Sequence, residues 1–346
     1  MTHFELVLTG NGRIERREGT LAAPAGSQVL VDIHVVGLCT TDLALHAGRY
    51  SAPHRMPICF GHEWAGVVAA VGADARYLRP GDHVTGECSL WCGRCDRCRR
   101  NKNMCRTLEK FGLTVDGAAR RQILIEERHL HRASPALDMS VLALAEPLSV
   151  CAAGIVAAGG AHDADLAAQR ILVIGGGMIG SGCVLLLRRL FGCTQVFVHD
   201  LQPSRLARAA AFGAKALTII PPSPIGDAGY GAIYSGDGFD VIIETSGSAS
   251  AFAQAQSLLN PGGTLAMLGF LSEVSFAPKD LVIKAGRLVG SIGGSGMFET
   301  VVPWLERHAD EARPLITHSI AAEHAERAFD IAADGEQALK VQLAFR

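Results

Sequence analysis

Four cysteines fall within one short stretch of the sequence, at Cys92, Cys95, Cys98 and Cys105. Thiolates are soft ligands, and four of them enclose a tetrahedral zinc ion with no open coordination position. A redox-active CxxC pair would need only two of these cysteines and would lie beside a βαβ pattern, which this stretch does not. The spacing C-x2-C-x2-C-x6-C therefore predicts a structural zinc that stabilises a loop and performs no chemistry.

A closed zinc site cannot bind a substrate, so metal chemistry would need a second set of ligands with an open position. Catalytic zinc keeps three protein ligands and one exchangeable position. The candidates are Cys39 in GLCTTD, and His62 with Glu63 in GHEWAG. Each alone would be ordinary, because a single buried cysteine usually behaves as a small hydrophobic residue. Together with the dinucleotide motif further along the chain, they predict a catalytic zinc.

The segment VIGGGMIGSG contains the pattern G-x-G-x-x-G as Gly175, Gly177 and Gly180, with Met178 and Ile179 inside it. The pattern follows an apolar strand-like run and opens a helix-like one, which is the context that gives it meaning. In a dinucleotide site the first glycine permits a tight turn. The second lets the backbone approach the pyrophosphate, and the third allows close helix–sheet packing. The helix N-terminus then offers free N–H groups to the phosphates.

Asp200, twenty residues after Gly180, ends the next apolar run. A carboxylate at this point accepts hydrogen bonds from the ribose hydroxyls and repels a 2′-phosphate. Leu201 follows it rather than an arginine, while Arg205 either braces the ribose or lies along the helix surface. The prediction is NAD rather than NADP.

Two kinds of secondary structure must position these groups. Up to about residue 150 the sequence has short alternating runs and turn residues, typical of antiparallel strands. From about 160 to 290, apolar strand-like runs alternate with helical ones, which predicts βαβ units and a parallel sheet. The tail has two helical runs and a last strand, and we expect it to rejoin the first part. The predicted class is α/β with two domains.

The 346 residues carry a formal net charge of −2 and are 49% hydrophobic. The near-neutral charge argues against a nucleic-acid partner. The start of the chain lacks the apolar core of a signal peptide, and glycines and arginines interrupt the most apolar runs, so we expect no membrane segment and a cytoplasmic location. In that reducing environment, clustered cysteines favour metal binding over disulfides.

These motifs resemble the zinc-dependent medium-chain dehydrogenases of the alcohol, polyol and threonine group. The similarity spans the chain through GLCTTD, GHEWAGVVAAVG, PGDHV, CGRCDRC, EPLSV, VIGGGMIG, NPGGTLAMLGF and the late ALKV. It implies a GroES-like, β-rich catalytic domain over residues 1–155 and a Rossmann domain over 156–290. Residues 291–346 would complete the catalytic domain.

The resemblance assigns roles to individual residues. Cys39 and His62 would be zinc ligands. Glu63, the glutamate of GHE, ligates zinc in polyol-type members, and Glu146 of EPLSV would bind zinc directly or through water and exchange with it. Thr41 matches the hydroxyl that relays the substrate proton. Asp42 matches the carboxylate that orients the histidine ligand.

The sequence departs from the family pattern in two places. Members usually have seven residues between the third and fourth loop cysteines, but six separate Cys98 from Cys105. Cys88 is therefore an alternative fourth ligand. Many members also have a histidine five residues after the first zinc cysteine, where this chain has Ala44. His46 could pass the proton to solvent instead, or be an ordinary surface histidine.

The implied reaction is reversible oxidation of a secondary alcohol of a polyol, sugar or cyclitol to a ketone. It would use two zinc ions per subunit, one catalytic and one structural, and NAD as hydride acceptor. The alternatives are a threonine 3-dehydrogenase-like or aminocyclitol dehydrogenase, a non-catalytic binding member of the family, and a nucleic-acid zinc ribbon. The resemblance also implies a homo-oligomer, with a tetramer favoured over a dimer.

Overall fold

The structure is a computed structural model that describes residues 3–10, 12–159, 166–218, 230–234, 238–271 and 273–345. The chain divides into two compact units. The first combines Met1–Ser149 with Gly293–Arg346, and the second is Val150–Ile292. The first unit is therefore assembled from both ends of the chain.

The N-terminal segment is mostly strands joined by turns. Its strands are β1 (His3–Leu8), β2 (Ile14–Gly19), β3 (Gln28–Gly37), β4 (Ile58–Cys59), β5 (Glu63–Val71), β6 (His83–Gly86), β7 (Ser89–Leu90), β8 (Glu109–Lys110), β9 (Gln122–Glu126) and β10 (Leu130–Ala133). Its helices are α1 (Thr40–His46), α2 (Asp96–Arg100), α3 (Met139–Leu142) and α4 (Ala145–Gly159), with 3-10 turns at Lys102–Met104 and Glu127–His129.

The second unit alternates strands with helices. Its strands are β11 (Arg170–Ile174), β12 (Gln195–His199), β13 (Lys215–Ala216), β14 (Phe239–Glu244), β15 (Leu259–Met267) and β16 (Arg287–Gly290). Its helices are α5 (Met178–Arg189), α6 (Pro203–Ala211), α7 (Tyr230–Ile233), α8 (Ala249–Leu258) and α9 (Pro278–Ile283), with a 3-10 turn at Leu166–Ala168. The strands pair in parallel in the order β13-β12-β11-β14-β15-β16.

The C-terminal segment returns to the first unit. It contains α10 (Phe298–Arg307), α11 (Ala309–Ala312), β17 (Ile316–Ala321), α12 (Ala325–Ala333) and β18 (Lys340–Ala344), with 3-10 turns at Arg313–Leu315 and Ala322–His324. β18 pairs antiparallel with β3 and parallel with β17. The main sheet of this unit runs β10-β6-β5-β3-β18-β17, and β9 also pairs with β3.

Each unit has its own apolar core. In the first unit, alternate residues of β3 point inward, so that Val29, Val31 and Ile33 join Trp64 and Phe60 in the interior. In the second, both faces of the sheet are covered, and β11 is a nearly continuous buried run, Arg170–Ile174. Buried parallel strands require such runs because helices cover them on both sides. The predicted combination of a β-rich part and a parallel α/β part is confirmed.

One apolar segment, Met139–Gly159, is long enough to cross a bilayer by length and composition. Of its most apolar window, 78% is buried inside the protein. That is the environment of a core helix in a globular protein, and such a helix passes the same length test.

Candidate active site and metal centres

Cys39 and Asp42 are placed by the start of α1. β3 ends at Gly37, and Cys39 is the extended residue that precedes the helix. Asp42, three residues later, accepts the Cys39 backbone N–H at 2.9 Å. A carboxylate in this position satisfies an N–H group that the helix itself leaves unpaired. The Cys39 backbone is therefore fixed by the same turn that begins the helix.

Asp42 also reaches the segment that carries His62. Its second oxygen accepts the Gly61 backbone N–H at 3.3 Å and lies 4.0 Å from His62 Nδ1. The carboxylate is completely buried. Asp42 thus accepts hydrogen bonds from the backbone of Cys39 and of the residue before His62, the two proposed zinc ligands. Its carboxylate faces the His62 ring but makes no direct hydrogen bond to it.

The side chains of Cys39, His62 and Glu63 converge. One ligand atom of each lies within 4.8 Å of the other two. His62 and Glu63 are 5% and 2% exposed. A thiolate, an imidazole and a carboxylate are donors that zinc accepts in catalytic sites. His62 Nδ1 is buried and has no hydrogen-bond partner among the described residues. The donor set therefore fits a zinc ion.

Glu63 is held by a buried lysine from the other end of the chain. Lys340 Nζ donates to Glu63 Oε2 at 2.5 Å and to the Leu38 carbonyl at 2.9 Å. Gly37 makes room for the carboxylate, since a Cβ there would lie 2.5 Å from Glu63 Oε2. Burial lowers the pKa of Lys340, but the negative charges of Glu63 and Cys39 outweigh it and the net pKa is raised. The lysine therefore remains a cation.

Glu146 lies in the first turn of α4 and is 5% exposed. It does not belong to the three-residue group of closely spaced donors. Burial raises its pKa to about 7, with the charge of His62 opposing the rise and that of Glu63 adding to it. Glu146 therefore lies within the electrostatic reach of the cluster without being part of it.

The site without its metal attracts positive charge. Burial lowers the pKa of His62, but the negative charges of Cys88 and Cys39 outweigh this, and the net pKa lies well above the usual value. Burial raises the pKa of Asp42, and the charge of His62 opposes that shift. Closely spaced anions in a buried place favour a bound cation. A zinc ion would supply that charge in place of the proton.

Two residues proposed for proton transfer lie on α1. Thr41 is partly buried in its first turn. His46 is in the last turn, where its ring lies 4.8 Å from that of Phe329. Its Nε2 is buried and has no hydrogen-bond partner in the described part of the chain. His46 is therefore not the ordinary surface histidine that the sequence allowed.

The four cysteines of the loop form a second cluster. The sulfur atoms of Cys95 and Cys98 are 3.3 Å apart, those of Cys92 and Cys98 3.8 Å, and those of Cys95 and Cys105 3.9 Å. Their ligand atoms all lie within 4.8 Å of one another. Six intervening residues thus suffice to bring Cys105 into the group.

The thiols of this loop differ in pKa. Backbone N–H groups of Arg94 and Cys95 lower the pKa of Cys92 to about 6. Burial and the Cys95 side chain raise that of Cys98 to about 11. Thiolates packed this closely repel one another, and a metal ion that displaces the remaining protons removes that repulsion.

Cys88, the alternative loop ligand, lies elsewhere. Its sulfur is 3.8 Å from the Phe111 carbonyl and is outside the four-thiol group. Burial raises its pKa, while the positive charges of His62 and Lys110 oppose the rise. Cys88 therefore interacts electrostatically with the site formed by Cys39 and His62. It does not belong to the four-cysteine loop cluster.

The glycine-rich loop joins β11 to α5. Gly175 has a φ of 101°, and a Cβ on Gly180 would lie only 1.7 Å from the Gly175 carbonyl oxygen. Gly177 directly precedes α5 as its N-cap residue, and a Cβ there would meet no atom within 4 Å. The backbone conformation and close packing of the loop thus require glycine at the first and third positions. The second glycine leaves open space in front of a helix N-terminus. Met178 and Ile179 form the first turn of that helix and are partly buried.

Asp200 follows β12 and bonds to the glycine-rich loop. It accepts the Gly176 backbone N–H at 2.7 Å and that of Gln202 at 2.8 Å. Leu201 is 86% exposed. The Arg205 main chain would lie 2.9 Å from a Cβ on Gly176, so α6 starts close to the loop. The carboxylate and the helix N-terminus therefore belong to one compact structure.

Sequence reasoning missed three residues near the predicted metal ligands. Lys340 lies in the late ALKV motif, which carried the resemblance but no assigned role. Burial raises the pKa of Cys88 and of Glu146, and the charge of Lys110 opposes both rises. The pKa of Tyr50 is raised by burial and by the charge of Cys88. A lysine in a polar loop gives no sequence signal of proximity, because only the fold brings it to the site.

Two family models match the chain. Residues 25–135 match the alcohol dehydrogenase GroES-like domain, and residues 179–307 match the zinc-binding dehydrogenase domain. The fold, the glycine-rich loop and the two donor clusters define a zinc-binding dehydrogenase. The chain belongs to the zinc-dependent medium-chain dehydrogenase family, as its motifs suggested, and it is an enzyme of that family.

Individual relatives are similar over nearly their whole lengths. An L-threonine 3-dehydrogenase of Coxiella burnetii (strain Dugway 5J108-111) is 28% identical over 321 residues, covering 90% of this chain and 91% of the relative. A zinc-binding dehydrogenase from Sinorhizobium meliloti 1021, solved with NADP, has a TM-score of 0.87 at 28% identity and full coverage of both chains. L-idonate 5-dehydrogenase from Escherichia coli K-12 has a TM-score of 0.88 at 27% identity, covering 100% of this chain and 99% of the other.

The glycine-rich loop yields a matched pair of variants. Gly180→Ala places a methyl group against the Gly175 carbonyl, so we expect a loss of about 1–3 kcal/mol in the free energy of unfolding. Gly177→Ala meets open space, so stability should hold while NADH binding weakens about tenfold or more, because the methyl group would occupy the path of the pyrophosphate. Thermal unfolding without cofactor and NADH fluorescence titration measure the two effects. Equal unfolding temperatures for both variants would contradict the assignment.

Proposed function

We propose that this protein oxidises a secondary hydroxyl group of a polyol, sugar or cyclitol-type substrate to a ketone, with NAD as hydride acceptor. The observation that carries the proposal is the convergence of a thiol, an imidazole and a carboxylate, one ligand atom of each within 4.8 Å of the others. The same chain carries a glycine-rich loop with an acidic residue at the end of the following strand. Metal ligands and a dinucleotide loop together support hydride chemistry on an alcohol.

Cys39, His62 and Glu63 would hold the catalytic zinc. When bound, the zinc supplies a Lewis acid for the substrate oxygen, and NAD supplies the hydride acceptor. We assign Glu63 rather than Glu146 as the resting ligand, because Glu63 lies in the group of closely spaced donors. Glu146 is proposed to exchange with it, and the effect of the Glu63 charge on the pKa of Glu146 supports their proximity.

Other residues orient the ligands and move the proton. Asp42 bonds the backbone beside Cys39 and His62 and so fixes their spacing. Thr41, in the first turn of the same helix, is proposed to take the substrate hydroxyl proton. His46 has its Nε2 buried near Phe329, so we do not assign it the transfer of that proton to solvent.

The preference for NAD over NADP rests on Asp200. Its carboxylate lies against the glycine-rich loop, where a 2′-phosphate would meet a negative charge. The Sinorhizobium meliloti relative was solved with NADP, so the preference for NAD is argued from the charge at position 200 of this chain. Arg205, whose backbone lies against Gly176, is proposed to lie beside the ribose.

A second zinc is proposed in the four-thiol loop formed by Cys92, Cys95, Cys98 and Cys105. Its closed donor set suits a structural ion. We also propose a homo-oligomer, with a tetramer favoured, by resemblance to polyol-type members. A cytoplasmic location is proposed because clustered cysteines serve as metal ligands, rather than as disulfides, in a reducing compartment.

L-threonine is the second candidate substrate. The Coxiella burnetii relative is an L-threonine 3-dehydrogenase, and its similarity covers 90% of this chain. Threonine also presents a secondary hydroxyl, so the same metal and cofactor chemistry applies to it. A panel of polyols, sugars, cyclitols and L-threonine, followed by NADH absorbance, separates these substrates.

Removal of the proposed sulfur ligand, Cys39, or of the proposed nitrogen ligand, His62, should stop the reaction without unfolding the cofactor site. In Cys39→Ala and His62→Ala we expect turnover to fall about a thousandfold or more, the effect of losing about 4 kcal/mol of transition-state stabilisation. NADH affinity should stay within about threefold. Turnover, NADH titration and elemental analysis on the same samples measure this. Cys59→Ala, which removes a buried thiol outside both clusters, is the control. Near wild-type turnover in either ligand variant would contradict the catalytic zinc.

Cofactor choice should follow the charge at position 200. Asp200→Ser removes the carboxylate that would face a 2′-phosphate, so we expect the ratio of kcat/KM for NAD to that for NADP to fall at least about tenfold. Glu273→Gln, an exposed charge change in the same unit, should leave the ratio unchanged. An unaltered ratio in Asp200→Ser would show that another residue selects the cofactor.

The loop zinc should support stability and not turnover chemistry. Cys95→Ser removes one of four ligands, so we expect loss of one zinc per subunit and a fall of about 4 kcal/mol or more in unfolding free energy. Arg97→Ala, an exposed change within the same loop, should retain the metal. Unfolding curves and zinc analysis measure the effect. An unchanged zinc content with an unchanged unfolding midpoint would contradict the assignment.

A further inference from the structure

One lysine that packs near the proposed metal site forms no ion pair with any carboxylate of the described residues. Lys110 ends β8, where it pairs in register with Ser89 of β7. Its Nζ donates to Ser89 Oγ at 2.7 Å, and Ser89 Oγ in turn donates to Asn103 Oδ1 at 2.9 Å. Ser89 and Asn103 are 1% and 7% exposed. The ammonium group is therefore positioned by a buried, neutral hydrogen-bond chain.

The segment that carries Lys110 is packed against the residues preceding His62. The Phe111 N–H donates to the Cys88 carbonyl at 2.9 Å. A Cβ on Gly112 would lie 3.0 Å from the backbone of Gly61, which directly precedes His62. This close backbone approach holds the lysine near the donor cluster.

The electrostatic influence of the lysine agrees with that placement. The charge of Lys110 is among the positive charges that act on the buried Glu146 carboxyl group. It also acts, together with that of His62, on the buried Cys88 thiol. The ammonium group thus acts on groups that themselves interact with His62.

No carboxylate of the described residues lies within 4.0 Å of Lys110 Nζ. The adjacent Glu109 is exposed and its carboxylate accepts the Thr114 hydroxyl. An ammonium group has three donors, and Ser89 accepts one of them. A partly buried cation that lacks a counter-ion is unfavourable unless something supplies the negative charge.

The other lysine of the site shows the contrast. Lys340 is fully buried, and its donors go to Glu63 and to the Leu38 carbonyl. Its charge is compensated within the protein. Lys110, in contrast, has no carboxylate partner among the described residues. A bound ligand would therefore have to supply its counter-charge.

We propose that Lys110 binds an anionic group of the substrate, a carboxylate or a phosphate, while the hydroxyl group to be oxidised is at the metal site. The proposal rests on the proposed function and narrows its substrate class to acidic polyols, sugars or hydroxy acids. A charge-assisted hydrogen bond from a positioned ammonium contributes about tenfold to a hundredfold in affinity. Uncharged alcohols would lack this hydrogen bond to Lys110 and would bind more weakly.

Matched pairs of charged and neutral probes test the proposal. Binding to the zinc-loaded enzyme with NADH present is measured by calorimetry for L-idonate against L-iditol, and for galactitol 1-phosphate against galactitol. We expect at least one anionic probe to bind at least tenfold more tightly than its neutral partner. The pair with the larger ratio identifies carboxylate or phosphate as the ligand. The preference should decrease as potassium chloride is added.

Variants locate the source of the preference. Lys110→Met should reduce the ratio of affinities to about twofold or less, and Lys110→Arg should keep most of it. Lys279→Met, an exposed lysine of the second unit, should leave it unchanged. Zinc content and unfolding temperature are recorded for each, and Lys110→Gln replaces Lys110→Met if the latter does not fold. For probes that are oxidised, the change should be in KM rather than kcat.

Equal affinity for charged and neutral probes in the wild type overturns the proposal, and so does a preference that persists in Lys110→Met. Equal loss of binding for both kinds of probe in that variant also overturns it, because the lysine would then be structural. Absence of NAD reduction with every substrate would refute the proposed function instead. The binding ratios decide the role of Lys110 in either case.

Discussion

Buried negative charge is the constraint on which the active unit depends. Cys39, Asp42 and Glu63 place a thiol and two carboxylates in a small region, with both carboxylates almost completely buried. Moving each such charge out of water costs several kcal/mol unless a cation compensates it. The metal-free site compensates by raising the pKa of His62 and by the ammonium of Lys340. A divalent ion at the proposed site would complete that compensation by supplying the positive charge that the buried donors lack.

The compensation of the Glu63 charge by Lys340 links the two ends of the chain within one unit. Glu63 begins β5, Gly37 ends β3, and Lys340 begins β18. These strands are neighbours in one sheet, so a residue near the C-terminus reaches a carboxylate 277 positions earlier. Removing one partner of such a buried pair typically costs about 3–5 kcal/mol. The C-terminal segment therefore contributes a residue to the proposed metal site in addition to covering the core.

The sequence predicts those features whose signal is local. The thiol loop, Cys39 and the His62–Glu63 pair follow ligand spacing, and the structure brings each set together. The glycine-rich loop is equally local, because its steric demands act between residues a few positions apart. Lys340 and Lys110 give no such signal, since lysine is usually a surface residue and only the tertiary fold shows these two near the site. The burial of the His46 Nε2 follows from its contact with Phe329, which lies 283 residues further along the chain.

The thiol loop has a wider part in the site than its closed donor set suggests. Asn103 lies between the third and fourth cysteines of the loop, and its side chain accepts a hydrogen bond from the Ser89 hydroxyl that binds Lys110. Lys110 itself follows Cys105 by five residues and leads into the segment packed on Gly61. A metal ion that fixes Cys98 and Cys105 would restrain Asn103 between them, and with it the position of the lysine. The ion that performs no chemistry would then help to determine which substrates the catalytic ion receives, because it orders the chain on which the proposed anion contact depends.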